Sequence, residues 1–384
     1  MDLRETDEQS ALRNAVAKLG RSFGHDYFVE TSKSGAKSTQ LWKAVGQHGF
    51  LGVNLAKEYG GGGAGVYELQ IVAEELAAAG CPLLMMVVSP AICGSVIQSF
   101  GTEEQRQRWL PRLTSGEMIM SFAITEPDAG SNSHNISTQA RRDGTDYVLS
   151  GTKYYISGVD EADAILVVTR TGTDERDRGQ LSLIVVPADA AGLTKSVIPV
   201  EITAPDKQFN LFFDDVRVPA DCLIGQEGDG LRQVFQGLNP ERIMGASIGN
   251  GIARYALAKA AEYARGRQVW GVPIGTHQGV AHPLAHARIN VDLARLMTQR
   301  AAWLHDEGDP LAGEAANMAK FASAEAGMAA LDQAIQTHGG NGLSTEYGLA
   351  TLWGSMRLMR TAPISREMIL NYVAKHSLGL PSSY

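Results

Sequence analysis

From the N-terminus to about Gly116, apolar positions recur every three to four residues. The segments QLWKAVGQHG, VYELQIVAEELAAAG and TEEQRQRWLPRLTSG carry this period and are broken by glycine, which predicts helices buried through one face. Between Glu117 and Gly225 the pattern changes to short β-branched runs: YVLSG, KYYISG, AILVVTRT, LSLIVVP and FNLFFDDVRVP. Turns such as Asp143-Gly144 separate them, and a small antiparallel sheet is predicted. After GQEGDG the helical period returns, in segments near 231–267, 280–306, 311–338 and 363–378 whose lengths suit an antiparallel bundle. The expected class is α+β, with an N-terminal all-α domain (1–116), a middle antiparallel β domain (117–228) and a C-terminal four-helix bundle (229–384). Strands and helices do not alternate, which argues against a parallel doubly wound sheet.

Composition narrows the function. The 384 residues are 44% hydrophobic and 20% charged with a net charge of -8, and the basic residues form no stripe, so nucleic acid is excluded as a partner. The start, MDLRETDEQSALRNAVAKLG, reads as an amphipathic helix with a Thr6-to-Gln9 capping box rather than an export signal, which predicts a cytoplasmic protein. The apolar run CPLLMMVVSPAICGSVI contains two prolines and is too short to span a bilayer, so a core or pocket helix is expected there, without membrane insertion. The three cysteines, Cys81, Cys93 and Cys222, lack metal spacing and fit a reducing compartment.

Several chemical signals fail on inspection. GGGGAG, from Gly60, meets the dinucleotide glycine pattern but lies outside any strand-turn-helix unit. His282 and His286, with His277 nearby, lack a further ligand and are interrupted by Pro283, so no metal is expected. In GLNPERIMGASIGNG, Asn239 reads as an N-cap, Pro240 as the first helical residue and Glu241 as the second. There the helix dipole favours an acid, so a structural reading and a catalytic one both stand at this point.

The stretch MSFAITEPDAGSNSHNISTQARRDGTDYVLSGTKYYISG leads an extended strand into a turn rich in backbone N–H groups and small hydroxyls. It resembles the first signature of the acyl-CoA dehydrogenase family, and FDDVRVPADCLIG and QTHGGNGLSTEYG follow in the same order as in that family. The resemblance covers essentially the whole chain. It implies the acyl-CoA dehydrogenase fold, FAD held between the β domain and the C-terminal bundle, and oxidation of an acyl-CoA thioester to the 2,3-enoyl-CoA. By the same resemblance, Thr125 and Ser131 touch the flavin ring and pyrophosphate, and Tyr155 and Ser157 stand beside the isoalloxazine in place of the more usual Trp and Thr. Arg267, Trp270 and Gln278 match positions that reach the FAD of a neighbouring subunit, and Gln336 and Gly340 a further cofactor contact. A homotetramer, with mixed tetramers known among bacterial relatives, and an electron-transfer flavoprotein as electron acceptor are therefore implied.

Many family members carry their base near the C-terminus in Glu-Gly-Thr, and here Ala362-Pro363-Ile364 occupies that place. A minority, including the isovaleryl-CoA type, carry it at the start of the first long bundle helix, which implies Glu241 as base. A carboxylate whose pKa rises as water is expelled suits removal of a C2 proton. The resemblance further implies that Asn239 and Arg242 contact the CoA moiety and that the Ala362 N–H polarises the thioester carbonyl. Met85, Met86, Val87 and Val88 are implied to line the acyl pocket, although core packing explains them equally well. Glu367 is the nearest rival base, more than one helical turn past Ala362. Departures from the family pattern are Asn132 for Asp, Thr351 for a basic residue and Gly354-Ser355 for Arg-Asp. The alternatives are a flavin oxidase or monooxygenase on the same fold, or a non-catalytic acyl-CoA-binding subunit.

Overall fold

The computed structural model describes residues 4–173, 175 and 179–382. The expected helix at the chain start becomes α1 (Asp7–Ser34), its first turn closed by the reciprocal Thr6 and Gln9 capping box; Met1 to Leu3 lie outside the described residues. Helices α2 (Thr39–Gln47) and α3 (Val66–Ala78) follow. The apolar run winds as a π-helical segment, Val87–Gly94, and continues into α4 (Ser95–Phe100). Pro90 lies inside it, and a proline has no N–H for the regular α ladder, which is consistent with the local widening. Helix α5 (Glu103–Ser115) opens on a second capping box, Thr102 with Gln105.

Eight strands follow: β1 (Met120–Ala123), β2 (Gln139–Asp143), β3 (Asp146–Ser157), β4 (Ala164–Thr173), β5 (Gly179–Pro187), β6 (Leu193–Ile198), β7 (Gln208–Pro219) and β8 (Leu223–Ile224). They form one sheet in the order β6-β7-β3-β2-β4-β5-β8, with β1 beside β4. The pairings are antiparallel except at β4, where β1 and one residue pair of β2 run parallel. Both faces of the central strands are buried. Ile165 and Val167 point into a core with Tyr147, Leu149, Leu211 and Phe213, while Leu166 and Val168 join the core shared with the helices. That two-sided burial explains why AILVV reads as a continuous apolar run.

The chain then forms α6 (Gly230–Gly266), the hairpin β9 (Gln268–Val269) and β10 (Val272–Pro273), α7 (Gln278–Asp306), α8 (Ala312–His338), α9 (Trp353–Leu358) and α10 (Arg366–His376). The start of α6 corrects the sequence reading. The helix begins at Gly230, so Asn239 is not its N-cap, Pro240 is inside it and Glu241 lies well past its first turn. Burial of Gln233, Val234 and Gly237 outweighs the local start signal, with Gly237 tight against Ile92 of the π-helical segment. Further along, a Cβ on Gly251 would sit 2.4 Å from the Glu74 carbonyl oxygen, so only glycine lets α3 approach α6 this closely. Glu74 and Glu75 of α3 are ion-paired to Arg254 of α6, Arg295 of α7 and Arg13 of α1, tying four helices together. Among the described residues, no helix is long and apolar enough to cross a membrane.

Candidate functional site

The turn after β1 is held by one buried ion pair. Lys153 of β3 donates at 2.9 Å to Glu126 and also to the Ile124 carbonyl. The same carboxylate accepts from the Ser137 N–H and hydroxyl and from the Thr138 N–H. Burial raises the Glu126 pKa, but Lys153 and these donors overcome it and bring the acid down to about 2. Burial likewise depresses Lys153, to about 8, against the pull of Glu126. The staple fixes both ends of the segment that carries Thr125 and Ser131. The Thr125 carbonyl accepts from the Tyr154 N–H at 2.9 Å, and Ser131 is exposed. A Cβ on Gly130 would meet nothing within 4 Å, so the turn leaves open space beside its backbone, as a bound flavin nucleotide requires.

Tyr155 adopts a left-handed backbone conformation (φ 57) and is 51% exposed, which presents its ring outward from the sheet. Ser157, the last residue of β3, pairs in register with Gln208, and its hydroxyl donates to Gln208 Oε1 at 3.0 Å. The next residue, Gly158 (φ +66), lies directly beneath the Met85 sulfur, where a Cβ would be 2.4 Å from it. Met85 thereby links the apolar run to the end of β3. Met85, Met86, Val87 and Val88 are all buried in the core shared with the helices.

The bundle brings Glu241 to the same region. Its carboxyl keeps some open surface, yet protein atoms crowd it, and burial pushes its pKa up to about 7 against the opposing pull of Arg242 and Lys320. Among the described residues no group donates a hydrogen bond to it. Cys93 of the π-helical segment lies within its field, and burial first and Glu241 second push that thiol well up. Arg242 is buried, donates to Asn239 Oδ1 at 2.8 Å and stacks over Phe235 at 5.7 Å. Asn239 therefore orients Arg242. One turn beyond Glu241, a Cβ on Gly245 would lie 3.8 Å from Pro363, so the Ala362-Pro363-Ile364 segment borders the same space.

Ala362 is corrected. Its N–H donates to the Leu358 carbonyl at 2.9 Å, closing a turn after α9, and is not free to polarise a thioester. The rival Glu367 is exposed in the first turn of α10. Thr351 contacts His25 of α1 at 3.0 Å, and a side chain at Gly354 would press on the Glu201 carbonyl 3.1 Å away, so a small residue admits that loop.

Arg267, Trp270, Gln278, Gln336 and Gly340 gather elsewhere, around the C-terminal ends of α6 and α8 and the N-terminal end of α7. All five are exposed, Trp270 at 88%, and Tyr263 of α6 ties the cluster together by hydrogen-bonding Asn341 and stacking on His338. Helical rise separates Glu241 from this end of α6 by about 38 Å. Three residues near the two clusters escaped the sequence reading: Lys153, Gln208 and Lys320. Only Lys153 carried a signal, as a lysine flanked by β-branched and aromatic strand residues.

Comparison with known proteins bears on this geometry. Models of the acyl-CoA dehydrogenase N-terminal, middle and C-terminal domains match residues 6–117, 121–216 and 228–378. Acyl-CoA dehydrogenase FadE12 of Mycobacterium tuberculosis (strain H37Rv) is 55% identical over 381 residues, covering 99% of this chain and 98% of its own. A glutaryl-CoA dehydrogenase from Mycobacterium smegmatis, solved in complex with FADH2, superposes with a TM-score of 0.91 at 25% identity, over 99% of this chain and 97% of its own. The prolyl acyl carrier protein oxidase AnaB superposes with a TM-score of 0.92 at 26% identity, over 98% of this chain and 100% of its own.

Proposed function

The chain belongs to the acyl-CoA dehydrogenase family of FAD-dependent oxidoreductases acting on acyl-CoA, and from that premise we propose that Glu241 takes the C2 proton of an acyl-CoA thioester on its way to the 2,3-enoyl-CoA. FAD, bound against Thr125, Ser131, Tyr155 and Ser157, supplies the acceptor for the hydride that leaves C3. The observation that carries the reading is a crowded carboxylate with no hydrogen-bond donor among the described residues, held near 7, beside the segment from which the more usual base is missing. A base poised near the working pH is efficient because both its protonation states are accessible there. Arg242, turned onto Asn239, leaves the acid free and offers its guanidinium to the CoA moiety. Ser157, resting on Gln208, sets a hydroxyl at the end of β3, and Met85, buried against Gly158, supplies an uncharged, adaptable wall for the acyl chain.

The exposed cluster at the far end of the bundle is read as a contribution to the FAD of a second copy, in a homotetramer whose electrons pass to an electron-transfer flavoprotein. Its distance from Glu241 supports a site shared between subunits. Three buried free cysteines support a reducing cytoplasm. The likeness to AnaB favours an oxidase as the second reading. Rapid reoxidation by air of substrate-reduced enzyme would select it.

Screening acyl-CoAs by flavin bleaching identifies the acyl group, with Glu241→Gln as control. The variant should keep its FAD and lose at least about 100-fold in turnover, as expected on removing a general base. Near-normal turnover would remove Glu241 from the mechanism.

A further inference from the structure

Two lysines are almost wholly enclosed, Lys153 at 0% and Lys320 at 2% exposure. They are treated differently. Lys153 is ion-paired to Glu126 at 2.9 Å. Lys320, on α8, donates to the Ile364 carbonyl at 2.7 Å and has no carboxylate within 4 Å among the described residues. The charged groups facing it are Glu241 and Arg242 on α6, Glu325 on its own helix and Glu367 on α10. Glu241 is faced in turn by Arg242, Lys320 and Cys93, and Arg242 by Tyr372 of α10. A crowded acid lacking a donor and a buried cation lacking an ion-pair partner therefore sit within electrostatic reach but out of contact.

We propose that Lys320 is a positioning residue for proton abstraction: tethered to the Ile364 carbonyl and held off the carboxylate, its ammonium adds to the Arg242 guanidinium a second positive field that keeps Glu241 ionisable while leaving the acid's oxygens free. The inference rests on Glu241 being the base. The protein contains its own calibration. Where a buried lysine touches a buried glutamate that also accepts from Ser137 and Thr138, as Lys153 touches Glu126, the acid falls to about 2 and is useless as a base near neutral pH. With no cation at all, burial alone would push Glu241 above its position near 7. A spaced cation gives the intermediate result. Lys320, lowered to about 8 by its own burial, is mostly protonated at pH 7, where Glu241 titrates. Arg242, held by Asn239, is the larger of the two cations acting on Glu241, and Lys320 adds to it from another helix.

Charge and tether are separable. Lys320→Gln keeps a donor for the Ile364 carbonyl but removes the charge, Lys320→Met removes both, and Lys320→Arg keeps both. The measurement is kcat/KM against pH with the acyl-CoA that bleaches the flavin, because its acid limb reports the free enzyme's base. Gln and Met should both raise the acid limb by about one unit, the lower end of what a neighbouring charge does. Around pH 7 this is a loss of about fivefold, as the ionised fraction falls from roughly half to roughly a tenth, recovered above about pH 9. Arg should hold the acid limb in place. An unshifted limb in Lys320→Gln overturns the proposal, since the tether alone would then be the role. If Gln and Met fail to fold, an Arg variant whose limb moves by more than about half a unit overturns it equally. Should Glu241→Gln turn over normally, the base assignment itself has failed. Should that variant be dead while Lys320→Gln keeps the wild-type limb, only the inference about Lys320 has failed.

Discussion

Lys153→Met removes the cation from the staple of the signature turn and leaves the Glu126 carboxylate buried. Breaking a buried ion pair from one side typically costs 3–5 kcal/mol. Here the acid retains three donors, the Ser137 N–H, the Ser137 hydroxyl and the Thr138 N–H, so the expected cost is at the lower end, about 3 kcal/mol. That is a large share of the roughly 5–15 kcal/mol by which such proteins are stable. Glu126→Gln neutralises the acid and leaves Lys153 unpaired, and the double variant leaves neither charge. A double-mutant cycle by urea denaturation should give a coupling above about 1.5 kcal/mol, with the double variant more stable than the sum of the two single losses predicts. Because the turn carries Thr125 and Ser131, FAD should also dissociate faster from Lys153→Met. Acid provides an independent check with a fixed sign. The folded-state pKa of Glu126 is depressed from 4.5 to about 2, so its contribution is present above about pH 4.5 and is lost as the pH falls through 2. Glu126→Gln should lack that part of the acid transition. A Lys153→Met protein within about 0.5 kcal/mol of wild type would refute the reasoning.

Gly251→Val should lower stability by at least about 1–3 kcal/mol in thermal denaturation, because a Cβ there meets backbone of α3 that cannot yield. Gly266→Ala, where nothing lies within 4 Å, should be neutral or slightly stabilising, and equal losses in the two would discount the helix contact. Trp270→Ala should leave the far-UV circular dichroism of the chain unchanged, given its exposure, while purified protein carries less FAD. Full flavin occupancy in that variant would remove the residue from a shared cofactor site.

The signature turn shows where local information ends. TEPDAG could be located from the chain because its residues are contiguous. That Lys153, from the middle of β3, holds it in place follows only from how β1 and β3 sit in the sheet. Thr351 and Gly354 read as departures without a reason until His25 and the Glu201 carbonyl are seen against them. The Ala362 amide was assigned by analogy of position, and the turn after α9 engages it with Leu358 instead.

The sequence by itself determined the order of helical, β and helical segments, the capping box of α1, and the presence of a glutamate at 241 without one at 362. These depend on period and on neighbours a few residues apart, which the chain carries directly. Only the tertiary structure decided that α6 runs unbroken through the Asn239-Pro240 start signal, that Glu241 is crowded and held near 7, and that Lys320 faces it from another helix. Burial and electrostatic field are sums over groups brought together by packing. No single stretch of the chain contains them.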